Sequence, residues 1–214
     1  MRSRSLPLLP ILLSLMVFSP ALMSCGSASM AERFNEMAAR EDSQAVRVIE
    51  SLGIQQGSTI VDLGAGGGYF SYLLARQTGA QGTVFAVDIN PDYLQFIEKE
   101  SSRLGLTWIR TVQARPDGFD AEEGSLHLIF TRNVYHHLEN RVDYFRRLLP
   151  LLAPAGRVAI IDYKNDGNFA HLMGHSTDPE IIRNELQKAG YVRVENHTFL
   201  EKQSFQIFQK QPGR

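Results

Sequence analysis

The sequence predicts an α/β fold in which a mostly parallel sheet carries helices on both faces. Segments typical of strands alternate along the chain with segments typical of helices, as in parallel sheets. The predicted strands Thr59–Leu63, Gly82–Asp88 and Gly156–Asp162 are nearly continuous apolar runs, as expected for strands buried on both faces. Only Leu200–Gln203 separates the last two predicted strands, so we expect these to pair as an antiparallel hairpin.

Seven strands and five helices are predicted in order along the chain. The strands are Thr59–Leu63, Gly82–Asp88, Thr107–Gln113, Ser125–Asn133, Gly156–Asp162, Tyr191–Phe199 and Ser204–Gln209. The helices are Ala31–Leu52 with an interruption near Glu41, Tyr69–Thr78, Pro91–Leu104, Arg141–Leu152 and Pro179–Gly190. Asn90-Pro91 and Asp178-Pro179 each place a capping residue before a proline, a strong helix start. Gly105 supplies a helix stop.

Residues 1–24 are predicted to be an export signal. Arg2 and Arg4 give a positive start, and the mostly apolar run Leu6–Phe18 is followed by small residues and Cys25. The run of about 13 residues is too short for a helix to span about 30 Å of hydrocarbon. A positive start, a short apolar core and small residues are typical of secretory signals.

The motif Leu22-Met23-Ser24-Cys25 resembles a bacterial lipobox, in which the cysteine is lipidated and becomes the first mature residue. Residues 25–41 are then a tether, at Ser27–Ala31, and an N-terminal helix, and residues 42–214 form the folded domain. The expected location is periplasmic or membrane-anchored through Cys25, without a transmembrane helix. The alternatives are an uncleaved anchor, or a start at Met30 and a cytoplasmic protein.

Composition excludes several classes of protein. The chain has 22 Lys and Arg against 23 Asp and Glu, so it lacks the basic excess of a nucleic-acid binder. Its 43% hydrophobic content is too high for a disordered chain. Cys25 is the single cysteine, which excludes an internal disulfide framework and a cysteine-rich zinc site.

The glycine loop after the first strand is the most informative feature. In open parallel sheets, ligands bind beyond the carboxyl ends of the strands, and glycines let the backbone approach a ligand closely. Gly64, Gly66 and Gly68 form a G-x-G-x-G pattern, with Asp62 two residues before it. A dinucleotide fingerprint needs a glycine where Tyr69 stands, so a nicotinamide-linked oxidoreductase is disfavoured.

A carboxylate ends the second predicted strand. Asp88 follows Gly68 by 20 residues and can accept two hydrogen bonds from a ribose diol. Ile89 beside it can pack on a purine face. The alternative is that Asp88 only caps the helix that follows.

Three motifs together resemble the class I S-adenosylmethionine-dependent methyltransferases: VDLGAGGGYF, AVDINPDYL and SLHLIFTRNVYHHLEN. The resemblance covers about Val46–Phe208 and is greatest to small-molecule enzymes of the ubiquinone/menaquinone and arsenite type. It implies a Rossmann-like seven-stranded sheet of order 3-2-1-4-5-7-6 with the last strand antiparallel. One position departs from the family pattern, because His127 stands where an aspartate is common.

The same resemblance implies S-adenosylmethionine as cofactor and a small-molecule methyl acceptor. The candidate cofactor-binding residues are Asp62, Gly64, Gly66, Gly68, Asp88, Ile89, Asp117 and Asn133. The glycines approach the methionyl part, Asp62 neighbours its amino group, and Asp88 holds the ribose hydroxyls. Ile89 touches adenine. Asp117 is the candidate for the adenine amino group, the alternative being a solvated turn residue.

Methyl transfer from a sulfonium is an in-line displacement that needs a base only when the acceptor carries a proton. His136 is the best candidate for that base, since imidazole ordinarily titrates near neutral pH. Tyr135 or Tyr163 is the candidate substrate wall. The alternative is that His136 and His137 serve only packing or the start of a helix.

His171 and His175 are four residues apart, a spacing that suits two metal ligands on a helix. Gly174 lies between them and no third ligand is evident, so a lid over the substrate is predicted rather than a metal site. The predicted function is therefore methyl transfer to a small molecule. The alternative is a non-catalytic exported lipoprotein that uses the same fold to bind a ligand or a protein.

Overall fold

The computed structural model describes residues 21–164 and 175–212, and within them one sheet of seven strands. The strands are β1 (Thr59–Leu63), β2 (Thr83–Asp88), β3 (Ile109–Gln113), β4 (Leu126–Arg132), β5 (Leu152–Tyr163), β6 (Tyr191–His197) and β7 (Gln203–Lys210). The helices are α1 (Ala21–Ala38), α2 (Ala45–Ser51), α3 (Tyr69–Thr78), α4 (Pro91–Arg103), α5 (Arg141–Leu148) and α6 (Pro179–Ala189).

The strand order is β3-β2-β1-β4-β5-β7-β6, which confirms the predicted order. The neighbouring pairs from β3 to β5 are parallel, whereas β7 runs antiparallel to both β5 and β6. The chain leaves β1 toward β2 on one side and later returns to place β4 on the other. The crevice between these two halves of the sheet is where ligands of such folds bind.

The sheet is buried on both faces, as the apolar strands predicted. Ile60 and Val61 are neighbours in β1, both fully buried, yet they belong to separate apolar clusters. Successive side chains of a strand point to opposite faces, so one residue packs under α2, α3 and α4 and the next packs under α5 and α6. A continuous apolar strand is the pattern that such a two-sided core requires.

Both predicted helix starts are present. The Asn90 side chain accepts a hydrogen bond from the Asp92 N–H at 2.9 Å, with Pro91 in the first turn of α4. Asp178 caps α6 in the same way, accepting from the Glu180 N–H at 2.7 Å. Each cap satisfies an amide that the helix itself leaves unpaired.

The N-terminal region is helical over more residues than predicted. The expected interruption near Glu41 is present, as a short 3-10 turn at Glu41–Ser43 between α1 and α2. Ser27–Ala31, predicted as a tether, lies within α1 instead. Cleavage before Cys25 stays a prediction. Among the described helices, none combines the length and apolarity needed to cross a membrane.

The fifth strand begins earlier than the sequence predicts. The sequence predicts a helix that runs to Leu152, but α5 stops at Leu148 and β5 begins at Leu152, which pairs with Leu126. The register then shifts through a bulge. A Cβ at Gly156 would lie 2.5 Å from a backbone oxygen of β4, so the bulge requires a residue without a side chain.

Candidate functional site

The glycine loop folds as its sequence predicts. Gly64, Gly66 and Gly68 have φ angles of +77°, +55° and +84°, in the left-handed region that glycine adopts without strain. The N–H groups of Gly64 and Ala65 both donate to the Val87 carbonyl, at 2.7 and 3.0 Å. These bonds hold the loop against the end of β2, so the loop and β2 act as one unit.

The Asp88 carboxylate lies against this loop. One oxygen accepts the Gly66 N–H at 2.9 Å, and the other accepts the Asn90 N–H at 3.0 Å. Asn90, and not Asp88, is the N-cap of α4. The carboxylate is nearly buried, and each oxygen keeps a second lone pair for another donor.

Ile89 and Asp117, the two residues predicted to contact adenine, both lie at the surface. The Ile89 side chain is 69% exposed although it is large and apolar. Asp117 lies in the turn after β3, where its carboxylate is 3.6 Å from Arg115 and 3.5 Å from Arg147. These exposed ion pairs contribute little to stability. They agree with the alternative that Asp117 is a solvated turn residue without a role in adenine binding.

Asp62 is a buried carboxyl within β1. It accepts a hydrogen bond from the Ser71 hydroxyl at 2.6 Å. Burial raises the pKa of Asp62 to about 7, and the negative charge of Asp88 adds to this while the Ser71 hydrogen bonds oppose it. A positive group bound nearby would favour the ionised form and lower this pKa.

The raised pKa predicts a stability that depends on pH. Between the ordinary pKa of 3.8 and about 7, folded Asp62 holds a proton that the unfolded chain has lost. Stability from this group therefore falls as pH rises through that window, at up to about 1.4 kcal/mol per pH unit. We expect Asp62→Asn to gain thermal stability over wild type at pH 8 but not at pH 4, measured by thermal unfolding. An equal difference at both pH values, or the same trend in the exposed control Asp143→Asn, would contradict this.

Helix α1 covers part of the glycine loop. The Asn35 side chain donates to the Gly67 carbonyl at 2.8 Å and accepts the Tyr69 N–H at 3.0 Å, at the start of α3. A Cβ at Gly67 would collide with the Ala31 carbonyl. Phe34 lies beside Gly66. The loop is thus enclosed between β2 and a helix that the sequence did not assign to the site.

His136 lies at the other side of the crevice, after β4. Its Nδ1 is 2.7 Å from an oxygen of Asp162, near the end of β5. The His136 side chain is 4% exposed and that of Asp162 is fully buried. The second oxygen of Asp162 is buried and has no hydrogen-bond partner among the described residues. Asp162 therefore fixes the orientation of the ring and leaves Nε2 as the nitrogen that can act.

Two further histidines stand beside His136. The rings of His136 and His137 have centroids 4.1 Å apart, and the ring of His175 lies 5.4 Å from each. Burial lowers the pKa of His137, and the nearby rings of His136 and His175 act in the same direction. These neighbours favour the neutral imidazole at His137.

A family model described as a methyltransferase domain matches residues 54–210, which include all seven strands and the loops described above. The chain belongs to this methyltransferase family. The resemblance to class I S-adenosylmethionine-dependent methyltransferases is thereby confirmed, and S-adenosylmethionine is the cofactor that this membership indicates.

Relatives and solved structures agree with this membership. The ubiquinone/menaquinone biosynthesis C-methyltransferase UbiE of Edwardsiella ictaluri is 24% identical over 116 residues, covering 54% of this chain and 46% of that relative. The chain thus matches about half the length of such curated relatives. A SAM-dependent methyltransferase from Aquifex aeolicus has a TM-score of 0.71 at 18% identity, covering 77% of this chain and 88% of that one. A TehB-like SAM-dependent methyltransferase from Corynebacterium glutamicum scores 0.67 at 17% identity, covering 87% and 99%.

Some predicted residues of this methyltransferase do not face the crevice. Tyr135 is fully buried, stacks on Phe145 and donates its hydroxyl to Glu185 at 2.6 Å, so a place in the substrate wall or in catalysis does not fit its position. It lies on the α5 and α6 side because the short turn after β4 directs it into that core. Asn133 has a φ of +57° and its side-chain oxygen accepts from Gln203, so its predicted cofactor contact competes with an internal bond.

The sequence missed two parts of the site. Asn35 gave no signal, because its role depends on where α1 packs. His137 and His175 are far apart in the sequence, so no local pattern relates them. The predicted lid that carries His171 lies in part outside the described residues. The expected strand order could have predicted that His137 and His175 lie close together. β4 and β5 are neighbours in that order, and the loops after neighbouring parallel strands meet at one edge of the sheet.

Proposed function

We propose that the protein is an S-adenosylmethionine-dependent methyltransferase that transfers the methyl group in line to a small-molecule acceptor. One observation carries the proposal. The hydrogen bond of 2.9 Å from the Gly66 N–H to Asp88 joins the glycine loop and the carboxylate of β2 into one cradle. This cradle stands at the edge of β1 where the strand order reverses, the usual ligand position in such sheets.

The residues of the cradle fit the chemistry of S-adenosylmethionine. A ribose diol offers two donors, and Asp88 has one unused lone pair on each oxygen. The exposed Ile89 supplies an apolar surface for adenine. Asp62 supplies a carboxyl whose ionised form a cationic amino group would stabilise. Hydrogen-bond acceptors, an apolar surface and a carboxyl group thus match the ribose, the adenine and the amino group of the cofactor.

When bound, the cofactor supplies an activated methyl group on a sulfonium, so the protein needs mainly to align and exclude water. Asp88 would hold the sugar by accepting hydrogen bonds from its hydroxyls. Phe34 of α1 lies beside Gly66 and supplies an apolar side chain at that part of the loop. His136, oriented by Asp162, is the residue we place beside the acceptor, where Nε2 can take a proton from it.

A small-molecule acceptor is supported by the charge and by the relatives. With a net charge of −1, the chain lacks the basic excess that is typical of proteins acting on nucleic acids. The UbiE relatives are by name C-methyltransferases of ubiquinone and menaquinone biosynthesis. The non-catalytic alternative is not favoured, because the glycine loop, Asp88 and the His136–Asp162 pair are all in place.

Calorimetry tests the cofactor side of the proposal. We expect the purified chain to bind S-adenosylmethionine and S-adenosylhomocysteine with micromolar affinity and to give no heat with NADH. Incubation with methyl-labelled cofactor and pooled small metabolites should then yield labelled small molecules. Binding of NADH without S-adenosylmethionine would overturn the proposal, and so would cofactor binding with label appearing only in macromolecules.

A further inference from the structure

We propose that His136, His137 and His175 form a binding site for one divalent transition-metal ion that favours imidazole ligands, of the zinc type. Each side chain offers one ring nitrogen, and these nitrogens lie within 4.8 Å of one another. Three histidines on one centre are a donor set that such ions prefer, whereas magnesium and calcium prefer oxygen ligands.

The backbone brings the three histidines together by two separate routes. His136 and His137 lie in the 3-10 turn Tyr135–His137 that follows β4. His175 precedes α6, and the segment that carries it is held to the end of β5 by the Thr177 N–H, which donates to the Tyr163 carbonyl at 3.0 Å. Because β4 and β5 are neighbours in the sheet, both segments arrive at the same edge.

Asp162 supplies the outer part of a metal site. Metal-bound histidines commonly engage their second nitrogen with a carboxylate, which orients the ring and makes it a better ligand. The 2.7 Å contact between Asp162 and Nδ1 of His136 has this geometry and leaves Nε2 for the metal. The buried carboxylate makes one hydrogen bond among the described residues, and a nearby cation would offset the cost of burying its charge.

Closing the site requires rotation of the side chains. Bonds of 2.0–2.1 Å in a tetrahedral centre place two ligand nitrogens about 3.4 Å apart, less than the present separation of up to 4.8 Å. His137 and His175 are exposed, so their rings can turn without disturbing the core.

Three protein ligands leave a fourth position open, as in catalytic zinc sites. The turn that carries His136 begins beside Val134, which packs on Gly64 of the glycine loop. The open position therefore suits an oxygen, nitrogen or sulfur atom of the methyl acceptor, a role that rests on the proposed function. With the ion bound, Nε2 of His136 is a ligand, so the proton-accepting role of His136 under the proposed function applies to the chain without the ion.

Cobalt and zinc titrations of the untagged full chain test the site without any assay of activity. We use a Cys25→Ser background, so that the thiol cannot bind the metal, and remove bound metal with a chelator first. We expect one Zn²⁺ per chain by calorimetry, and with Co²⁺ the intense visible absorption of a tetrahedral centre. His137→Ala and His175→Ala should each weaken Zn²⁺ binding at least tenfold, and Asp162→Asn should weaken it 10- to 100-fold.

The matched control is His127→Ala. His127 lies at the opposite end of β4, where it accepts the Thr59 N–H, so its loss should leave metal affinity unchanged. Equal Zn²⁺ affinity in wild type and His175→Ala, or an equal loss in His127→Ala, would overturn the proposal.

Calorimetry with S-adenosylmethionine on His175→Ala separates the metal site from the proposed function, because we expect cofactor binding to persist in this variant. Loss of metal with cofactor retained supports the site, whereas cofactor binding without any metal binding in wild type refutes the site alone.

Discussion

Gly66→Val is expected to abolish binding of S-adenosylmethionine while the chain still folds. Gly66 has a φ of +55°, and its Cβ position lies 3.3 Å from the Phe34 ring. A β-branched side chain is strained at that φ, and its methyl groups must stand either against Phe34 or in the space that the cofactor needs. The loop would have to move, and the Gly66 N–H would then leave Asp88. Calorimetry with the cofactor, together with thermal unfolding, measures both consequences.

A second glycine provides the control for strain alone. Gly105 has a φ of +69° and nothing within 4 Å of its Cβ position, and it lies after α4 rather than in the loop. Gly105→Val should therefore lose stability comparably and keep cofactor affinity. If Gly66→Val binds the cofactor within threefold of wild type, the loop is not the binding site.

The fold was predictable because its signals are local. Asn90-Pro91 marks the start of α4 because the Asn90 side chain accepts a hydrogen bond from the N–H of Asp92, two residues on. No distant contact is needed to recognise this helix start. The continuous apolar sequence of β1 likewise predicts, without any distant contact, that this strand is buried on both faces. The start of β5 was not predictable in this way, because Leu152 becomes a strand residue only by pairing with Leu126 across the bulge.

In the candidate site, too, the features set by local sequence were predictable and those set by distant contacts were not. The glycine loop follows β1 and Asp88 ends β2, so the chemistry of both is predictable from their spacing in the sequence. Tyr135 and His136 are adjacent in sequence yet lie in different environments, one in the core and one against Asp162. A 3-10 turn has neither the period of a helix nor that of a strand, so no pattern assigns its side chains to a face. His175 lies beside His136 and His137 only because β4 and β5 are neighbours in the sheet.

Asp88→Asn should weaken binding of S-adenosylmethionine by about 1–3 kcal/mol, the scale of lost hydrogen bonds to a charged group. In affinity this is roughly a 5- to 150-fold change. Both oxygens of Asp88 accept backbone N–H groups, from Gly66 and Asn90, so an amide must turn its NH₂ toward one of these donors. The variant thus loses a bond inside the protein as well as an acceptor for the sugar.

These two losses can be separated with a ligand that lacks one hydroxyl. S-adenosylhomocysteine should bind wild type more tightly than its 2′-deoxy analogue, and that preference should disappear in Asp88→Asn. A carboxylate that only supports the loop would weaken both ligands equally and leave the preference intact, which would contradict the ribose role. Asp143→Asn, an exposed aspartate on α5, removes the same charge away from the crevice and should change neither affinity. The preference for the hydroxyl therefore measures contact with the sugar, independently of any change in the stability of the loop.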